Sequence, residues 1–144
     1  MRRYLRDAIP AGDLNAIREA LYEAMWDDVG IVRDAASLQR AAGKLDELEA
    51  GLDSVGVASG DLSFNMAWHD WLNLKSQILV SQAIRFAAIA REDSRGAHYR
   101  TDYPAVRDLE NSRYTCVTWR DGGFAIDTKP VVFSRVKPGE TLLR

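Results

Sequence analysis

The sequence lacks several features that mark common classes of protein. Its 144 residues contain one cysteine, Cys116, so an internal disulfide or a paired-cysteine metal or redox site cannot form, which favours a reducing compartment. No apolar run reaches the about 18 residues that indicate a transmembrane helix. The formal net charge is −2, so there is no surplus of positive charge to bind nucleic acid or an anionic membrane. The sequence therefore predicts neither a nucleic-acid partner nor a membrane span.

The fingerprints of common catalytic and binding sites are also missing. No GxGxxG or GxxxxGK string is present to bind phosphates, and His69 and His98 are too far apart for the HExxH metal pattern. Cys116 and His98 could form a nucleophile pair, but a lone cysteine in an alternating segment is typical of a small packed side chain. We therefore assign no catalytic, cofactor-binding or metal-ligating residue to this chain.

The composition is that of one folded domain. Hydrophobic residues make up 47% of the chain and charged residues 28%, which is close to the average of soluble globular proteins. A chain of this length is sufficient for one hydrophobic core.

Three segments have the apolar spacing of amphipathic helices. The first follows a predicted N-cap, Asp13, and is expected to end near Gly30. The second follows Asp34, and the glycine- and serine-rich segment 51–60 is predicted to be a connection. The third spans about 63–92 without proline or glycine, which predicts the longest helix of the chain.

The remainder of the chain has the pattern of extended structure. Tyr103-Pro104 opposes continuation of a helix, and two extended stretches, 113–120 and 124–133, flank a turn at 121–123. The predicted fold class is mainly α: a three-helix antiparallel bundle, spectrin-repeat-like, with an extended or β-hairpin C-terminal flap. The expected divisions are a linker or N-terminal extension over 1–12, the three-helix bundle over 13–104, and an extended tail with the hairpin over 105–144.

A dense polar block closes the third helix. Residues 91–104 contain three arginines, three acids, one histidine and two tyrosines, and Gly96 can turn the chain so that they converge. One interpretation is a helix cap with surface ion pairs, in which Arg95 and Arg100 bind acids of the same block. The other is an interdomain or subunit interface, because arginine and tyrosine suit large, partly desolvated contacts. The candidate interface residues are Arg91, Ser94, Arg95, His98, Arg100, Asp102 and Tyr103.

The same block carries a resemblance to a known family. Its sequence, R-E-D-S-R-G-A-H-Y-R-T-D-Y-P, resembles the R-x-E-S-R-G-x-H-x-R-x-D-[FY]-P signature of the flavoprotein subunit of succinate dehydrogenase and fumarate reductase, shared in part by L-aspartate oxidase. Residues 25–33, M-W-D-D-V-G-I-V-R, are similar to that family's M-W-x-x-V-G-[IV]-x-R, and Lys129-Pro130-Val131 matches its closing K-P-V. Asp93 departs from the glutamate that is usual there.

The resemblance implies a helical C-terminal domain that packs on the FAD-binding and capping domains of a flavoprotein, near an iron-sulfur subunit. In that family FAD and the catalytic residues lie upstream, so the resemblance implies no cofactor in this chain and no activity of this chain alone. It implies FAD-mediated hydride transfer at a C–C bond of a dicarboxylate in the intact protein, and a cytoplasmic location, peripheral at the inner face of the membrane through partner subunits.

Two further hypotheses stand beside membership of the dehydrogenase or reductase branch. One is the aspartate oxidase branch, and the other is a free-standing helical adaptor that derives from this domain or pairs as a homodimer. Helical spacing places Trp26, Trp68 and Trp71 either in the bundle core or on a face that absent domains cover. An exposed apolar patch favours the domain of a larger flavoprotein, whereas a free-standing module is expected to carry charge there.

Overall fold

The computed structural model describes residues 12–57, 61 and 63–141, so all but Gly12 of the linker expected over 1–12 lies outside the described residues. This part of the chain forms three helices that contact one another pairwise and two pairs of strands. The elements are α1 (Leu14–Val29), β1 (Val32–Arg33), α2 (Ala35–Asp53), α3 (Met66–Ala90), β2 (Tyr99–Arg100), β3 (Arg113–Arg120) and β4 (Gly123–Pro130). The predicted mainly α fold with a C-terminal hairpin is confirmed. None of these helices combines the length and the apolar character needed to cross a membrane.

Side-chain caps fix the N-terminus of each helix. The predicted cap Asp13 accepts hydrogen bonds of 2.9 and 3.1 Å from backbone N–H groups in the first turn of α1. Asp34 and Ser37 form a reciprocal capping box at the start of α2. The Asn65 side chain accepts a hydrogen bond of 2.9 Å from the backbone N–H of Trp68 in α3. Short polar residues therefore set where the helices begin, and Asp13 is the cap that the sequence analysis predicts.

The main core lies where the three helices meet. Trp71 is buried at its centre, and its indole Nε1 donates a hydrogen bond of 3.0 Å to the carbonyl oxygen of Leu52. Leu52 is also buried, which corrects the connection predicted over 51–60: α2 continues through Gly51 to Asp53 because its last apolar residue packs against α3. Residues 58–60 lie outside the described part. The core residues are Leu21, Leu45, Leu52, Trp71, Leu74 and Ile78.

The hairpin packs on the C-terminal half of α3. Its turn places Asp121 and Gly122 at positive φ, +52° and +81°, which is the backbone of a two-residue turn matched to strand twist. β4 begins one residue before the expected stretch 124–133 and ends at Pro130, after which the backbone N–H of Val131 still donates a hydrogen bond of 2.8 Å to the carbonyl oxygen of Ser112. The ring of Phe124 lies 5.1 Å from the ring of Phe86 in α3, centroid to centroid. The hairpin therefore packs against the helical bundle through an aromatic contact.

Candidate functional site

A two-stranded parallel ladder joins the two segments that carry the family resemblance. β1 follows α1 and pairs with β2 in the polar block, in the register Val32 to Tyr99 and Arg33 to Arg100. Side chains alternate across a strand, so one face of the ladder carries Val32 and Tyr99, which are exposed. The other face carries Arg33 and Arg100, and Arg100 is buried. Sequence analysis did not predict this pairing, which brings the two segments into one structural unit.

Two glycines allow these segments to approach. A Cβ atom at Gly30 would lie 2.5 Å from the carbonyl oxygen of Trp26, so only glycine fits at the end of α1. Gly96 has φ +56°, a conformation that favours glycine, and it turns the chain between Arg95 and His98. The backbones of those two residues exchange hydrogen bonds of 2.7 and 3.0 Å. The predicted turn at Gly96 is therefore confirmed. We call residues 91–104 the motif loop.

Ser94 closes the motif loop from inside. Its side chain is buried, and its hydroxyl oxygen accepts a hydrogen bond of 2.8 Å from the backbone N–H of Arg100. The same hydroxyl donates to the carbonyl oxygen of Tyr103 at 2.8 Å. His98 is half-buried, and its Nε2 atom lies 3.3 Å from the carbonyl oxygen of Arg91. A carbonyl oxygen can only accept a hydrogen bond. Burial lowers the pKa of this imidazole. Ser94 and His98 therefore fix the shape of the loop.

Arg100 caps the C-terminus of α3. Its side chain is 1% exposed, and Nη1 donates to the carbonyl oxygens of Ala88, Ile89 and Arg91 at 2.9, 3.2 and 3.3 Å. The last carbonyls of a helix have no partner within the helix and carry partial negative charge, so a guanidinium there is favourable. The aromatic ring of Tyr103 lies 5.0 Å from the guanidinium carbon. This buried cation is a structural part of the helix end.

Asp102 extends the cap to a second helix. Its carboxylate accepts two hydrogen bonds of 2.7 Å from Nε and Nη2 of Arg100, and a third of 3.0 Å from the backbone N–H of Ala35, the first residue of α2. The hydrogen bond from Arg100 is the largest cause that lowers the pKa of Asp102, to about 2. We call this ion pair the Arg100–Asp102 clasp. It places a cation at the end of α3 and an anion at the start of α2, where each helix dipole favours that charge.

A second buried charge ties α1 to α2. Asp28 is 2% exposed, and its carboxylate binds Arg40 at 2.8 Å and Lys44 at 2.7 Å. Burial is the largest single effect on the pKa of Asp28 and acts to raise it, but the hydrogen bonds and charges of Lys44 and Arg40 together lower this pKa. Across residues 12–57, 61 and 63–141, no group of three or more histidine, cysteine, aspartate or glutamate side chains could hold a metal ion.

The seven candidate interface residues lie in different environments. Ser94 and Arg100 are buried within the domain, and Asp102 is bound to Arg100. Arg91 forms an ion pair of 2.6 Å with Asp93. His98 is half-buried, whereas Arg95 and Tyr103 are exposed. The predicted pairing with acids of the same block is found for Arg100. Arg95 instead donates to Ser112 Oγ at 2.5 Å, because the turn at Gly96 directs it towards the segment before β3.

An exposed apolar surface lies beside the motif loop. Trp26 is 83% exposed, and Tyr22, Ile31, Val32 and Tyr99 are between 42% and 62% exposed. A groove of about 580 Å³ runs along most of this surface, from α1 past Gly30 to β1. Of the three tryptophans considered above, Trp71 belongs to the core, Trp68 is half-buried and Trp26 is on this surface. We call the side chains of Tyr22, Trp26, Ile31, Val32 and Tyr99 the outer apolar face.

The chain matches the family model described as the C-terminal part of the fumarate reductase flavoprotein over residues 18–142. The flavoprotein subunit of 8-methylmenaquinol:fumarate reductase from Wolinella succinogenes is 33% identical to it over 141 residues, which is 95% of this chain and 23% of that protein. The chain spans about a fifth of the length of the curated relatives it matches.

Solved structures agree with this match. A quinol-fumarate reductase with menaquinol molecules superposes with a TM-score of 0.79 and 25% identity, over 90% of this chain and 23% of that chain. The apo Sdh1 complex of Mycobacterium smegmatis gives a TM-score of 0.73 and 29% identity, over 87% of this chain and 22% of that chain. This chain therefore belongs to the family of C-terminal domains of fumarate reductase and succinate dehydrogenase flavoprotein subunits.

Proposed function

We propose that this chain acts as the helical domain of an FAD-dependent oxidoreductase that reduces fumarate or oxidises succinate, and that it packs on the FAD-binding and capping domains of that enzyme. The outer apolar face is the observation that carries this proposal. An exposed tryptophan surrounded by apolar side chains is unusual on a small monomeric domain and marks a surface that another domain covers. The chain spans 23% of the Wolinella relative, which leaves ample length for those domains.

The motif loop supports this surface. Tyr99 and Val32 belong to the outer apolar face, and their strands are held in register by the ladder. Behind them, Ser94 and the Arg100–Asp102 clasp fix the loop to the ends of α2 and α3. The buried residues of the motif thus act by positioning, whereas the exposed Arg95 and Tyr103 are the members available for direct contact.

The described residues do not fit FAD itself. Dinucleotide phosphates bind at a helix N-terminus reached through a glycine-rich turn after a strand. Here the N-termini of α1, α2 and α3 are already capped by the side chains of Asp13, Asp34 and Asn65. FAD therefore belongs to the covering domains in this proposal, and we assign no catalytic step to this chain. An iron-sulfur subunit is the further partner, and attachment to the inner face of the membrane follows from the partner subunits.

The proposal is tested by charging the outer apolar face in the native gene product. Trp26→Glu should reduce the bound flavin or the assembled form, because a carboxylate would be buried against the covering domain. The matched control is Trp119→Glu on the hairpin, where the side chain is 55% exposed and outside that face. Helical content of both variants, measured by circular dichroism, should equal that of the unmodified protein. Normal flavin content and assembly in Trp26→Glu would contradict the proposal.

The same variants address the homodimer alternative. Light scattering of the isolated chain gives its mass, and a dimer that Trp26→Glu converts to a 16.1 kDa monomer would show that a second copy covers this face. A monomer with an accessible Trp26 is the result expected for a domain whose partner is absent.

A further inference from the structure

We propose that a polar cleft between the motif loop and the hairpin binds a single carboxylate group. The cleft has a volume of about 280 Å³ and is separate from the outer apolar face. Four arginines from three parts of the chain line it: Arg91 and Arg95 in the motif loop, Arg107 in the connection, and Arg113 at the start of β3. Guanidinium groups that converge on one concavity are the usual protein means of binding a carboxylate or a phosphate.

Two of the four guanidinium groups are already neutralised. Arg91 binds Asp93 at 2.6 Å, and this ion pair is the first cause that lowers the pKa of Asp93. Arg107 binds Glu92 at 3.3 Å on the rim. The third acid of the lining, Asp108, accepts hydrogen bonds from the segment that follows it, including one of 2.9 Å from a backbone N–H group. Glu92 and Asp93 are therefore paired with cations, whereas Asp108 is held by neutral donors and keeps its negative charge.

The other two guanidinium groups meet only neutral acceptors. Arg95 donates from Nη1 to Ser112 Oγ at 2.5 Å, and Arg113 donates to the hydroxyl and carbonyl oxygens of Thr128 at 2.8 and 2.9 Å. Within the part of the chain that the structure describes, neither forms an ion pair with a carboxylate. Ser112 and Arg113 are consecutive, so both cations are anchored at the same end of β3. Hydrogen bonds position them and leave their charges uncompensated.

The net charge of the side chains that line the cleft favours a ligand with one negative charge. Four arginines against three acids leave one positive charge, which a single carboxylate would neutralise. A dianionic phosphate would bring a second negative charge close to Glu92, Asp93 and Asp108, and like charges at this range are unfavourable. Arginine donors that remain free on Arg95 and Arg113 can hold the two oxygens of a carboxylate. Such a group can come from a small free acid or from an aspartate or glutamate side chain of a docked protein.

The test is a titration of the full chain followed by NMR of the arginine side-chain Nε–Hε signals. The probes are acetate, the capped peptide acetyl-Ala-Glu-Ala-amide, inorganic phosphate and chloride. Acetate and the peptide should shift the signals of Arg95 and Arg113. Arg95→Gln and Arg113→Gln should each weaken binding about tenfold, the loss of one charge-assisted contact. The control Arg120→Gln removes the same charge from an exposed residue outside the cleft, and binding should stay within about twofold.

The outcomes separate the two sources of the carboxylate. Tighter binding of the peptide than of acetate assigns the site to an acidic side chain of a protein, and equal or weaker binding of the peptide assigns it to a free acid. The proposal is overturned if no signal shifts, if phosphate or chloride binds as tightly as acetate, or if Arg120→Gln weakens binding as much as Arg95→Gln. Because this titration uses the chain alone, its failure is distinct from a failure of the proposed flavin-domain role.

Discussion

Replacement of Arg100 by glutamine should destabilise the domain more than any other single change in the motif loop. The substitution removes a 1% exposed guanidinium that binds Asp102 and three carbonyl oxygens at the end of α3. Breaking a buried ion pair from one side typically costs about 3–5 kcal/mol, because the groups left behind lose their partners. We expect a loss in this range for Arg100→Gln, and a smaller loss for Arg100→Lys, which keeps the charge without the bidentate geometry.

The partner variant Asp102→Asn should cost less. A pKa lowered from 3.8 to about 2 corresponds to at most about 2.5 kcal/mol, at about 1.4 kcal/mol per unit. Because the Asp102 side chain is 30% exposed, solvent screening reduces the expected loss to about 1–2 kcal/mol. In this variant Arg100 keeps its three carbonyl acceptors. The unequal cost of the two substitutions is thus a direct consequence of which residue is buried.

Urea unfolding followed by circular dichroism gives the free energy of unfolding of each variant. The pKa of Asp102 is lowered on folding, so its contribution is fully present above about pH 4 and is lost as the pH falls towards about 2. The difference between the unmodified chain and Asp102→Asn should therefore shrink to near zero over that interval. A cost of under about 1 kcal/mol for Arg100→Gln, or a cost lower than that of Asp102→Asn, would contradict the buried role of Arg100.

Three further predictions concern other buried polar groups, each measured by the same unfolding experiment. Ser94→Ala should cost about 1–3 kcal/mol, because the backbone N–H and carbonyl groups bound by its hydroxyl lose that partner; a loss near zero would contradict its role. Trp71→Phe should cost about 1–3 kcal/mol through the lost bond to Leu52, and stability equal to the unmodified chain would argue against that bond. Asp28→Ala should cost about 3–5 kcal/mol, with Asp27→Ala as the exposed control; equal losses would refute the buried pairing.

The features that could be predicted from the sequence are those set by local chemistry. Asp13 caps α1 through groups two and three residues away, and the Asp121-Gly122 turn determines the hairpin between β3 and β4. Such interactions need only neighbours in the chain. The fold class likewise follows from local patterns, namely the apolar spacing of three helical segments and the extended stretches around the turn. The family resemblance rests on short contiguous strings and implies the same helical domain.

The features that were missed depend on contacts between distant segments. The pairing of β1 with β2 joins residues 67 positions apart, and two-residue strands leave almost no alternating pattern to detect. The glycines and serines of segment 51–60 predict a connection from residue 51 onward, whereas the burial of Leu52 and the hydrogen bond from Trp71 to its carbonyl oxygen keep α2 helical to Asp53. The sequence could not show that Arg100 is buried, because its acceptors are carbonyl oxygens that only α3 presents. One sequence signal for this pairing is that both family-like segments contain an arginine directly after an apolar or aromatic residue, in Val32-Arg33 and Tyr99-Arg100.

The native gene product that contains these residues would show whether this chain is one domain of a larger flavin enzyme. Purified from its own source, it would be examined for intact mass and visible absorption. We predict a mass several times 16.1 kDa together with the absorption of a bound flavin. A colourless protein of 16.1 kDa would contradict the claim and would identify the chain as a separate module whose outer apolar face binds another partner.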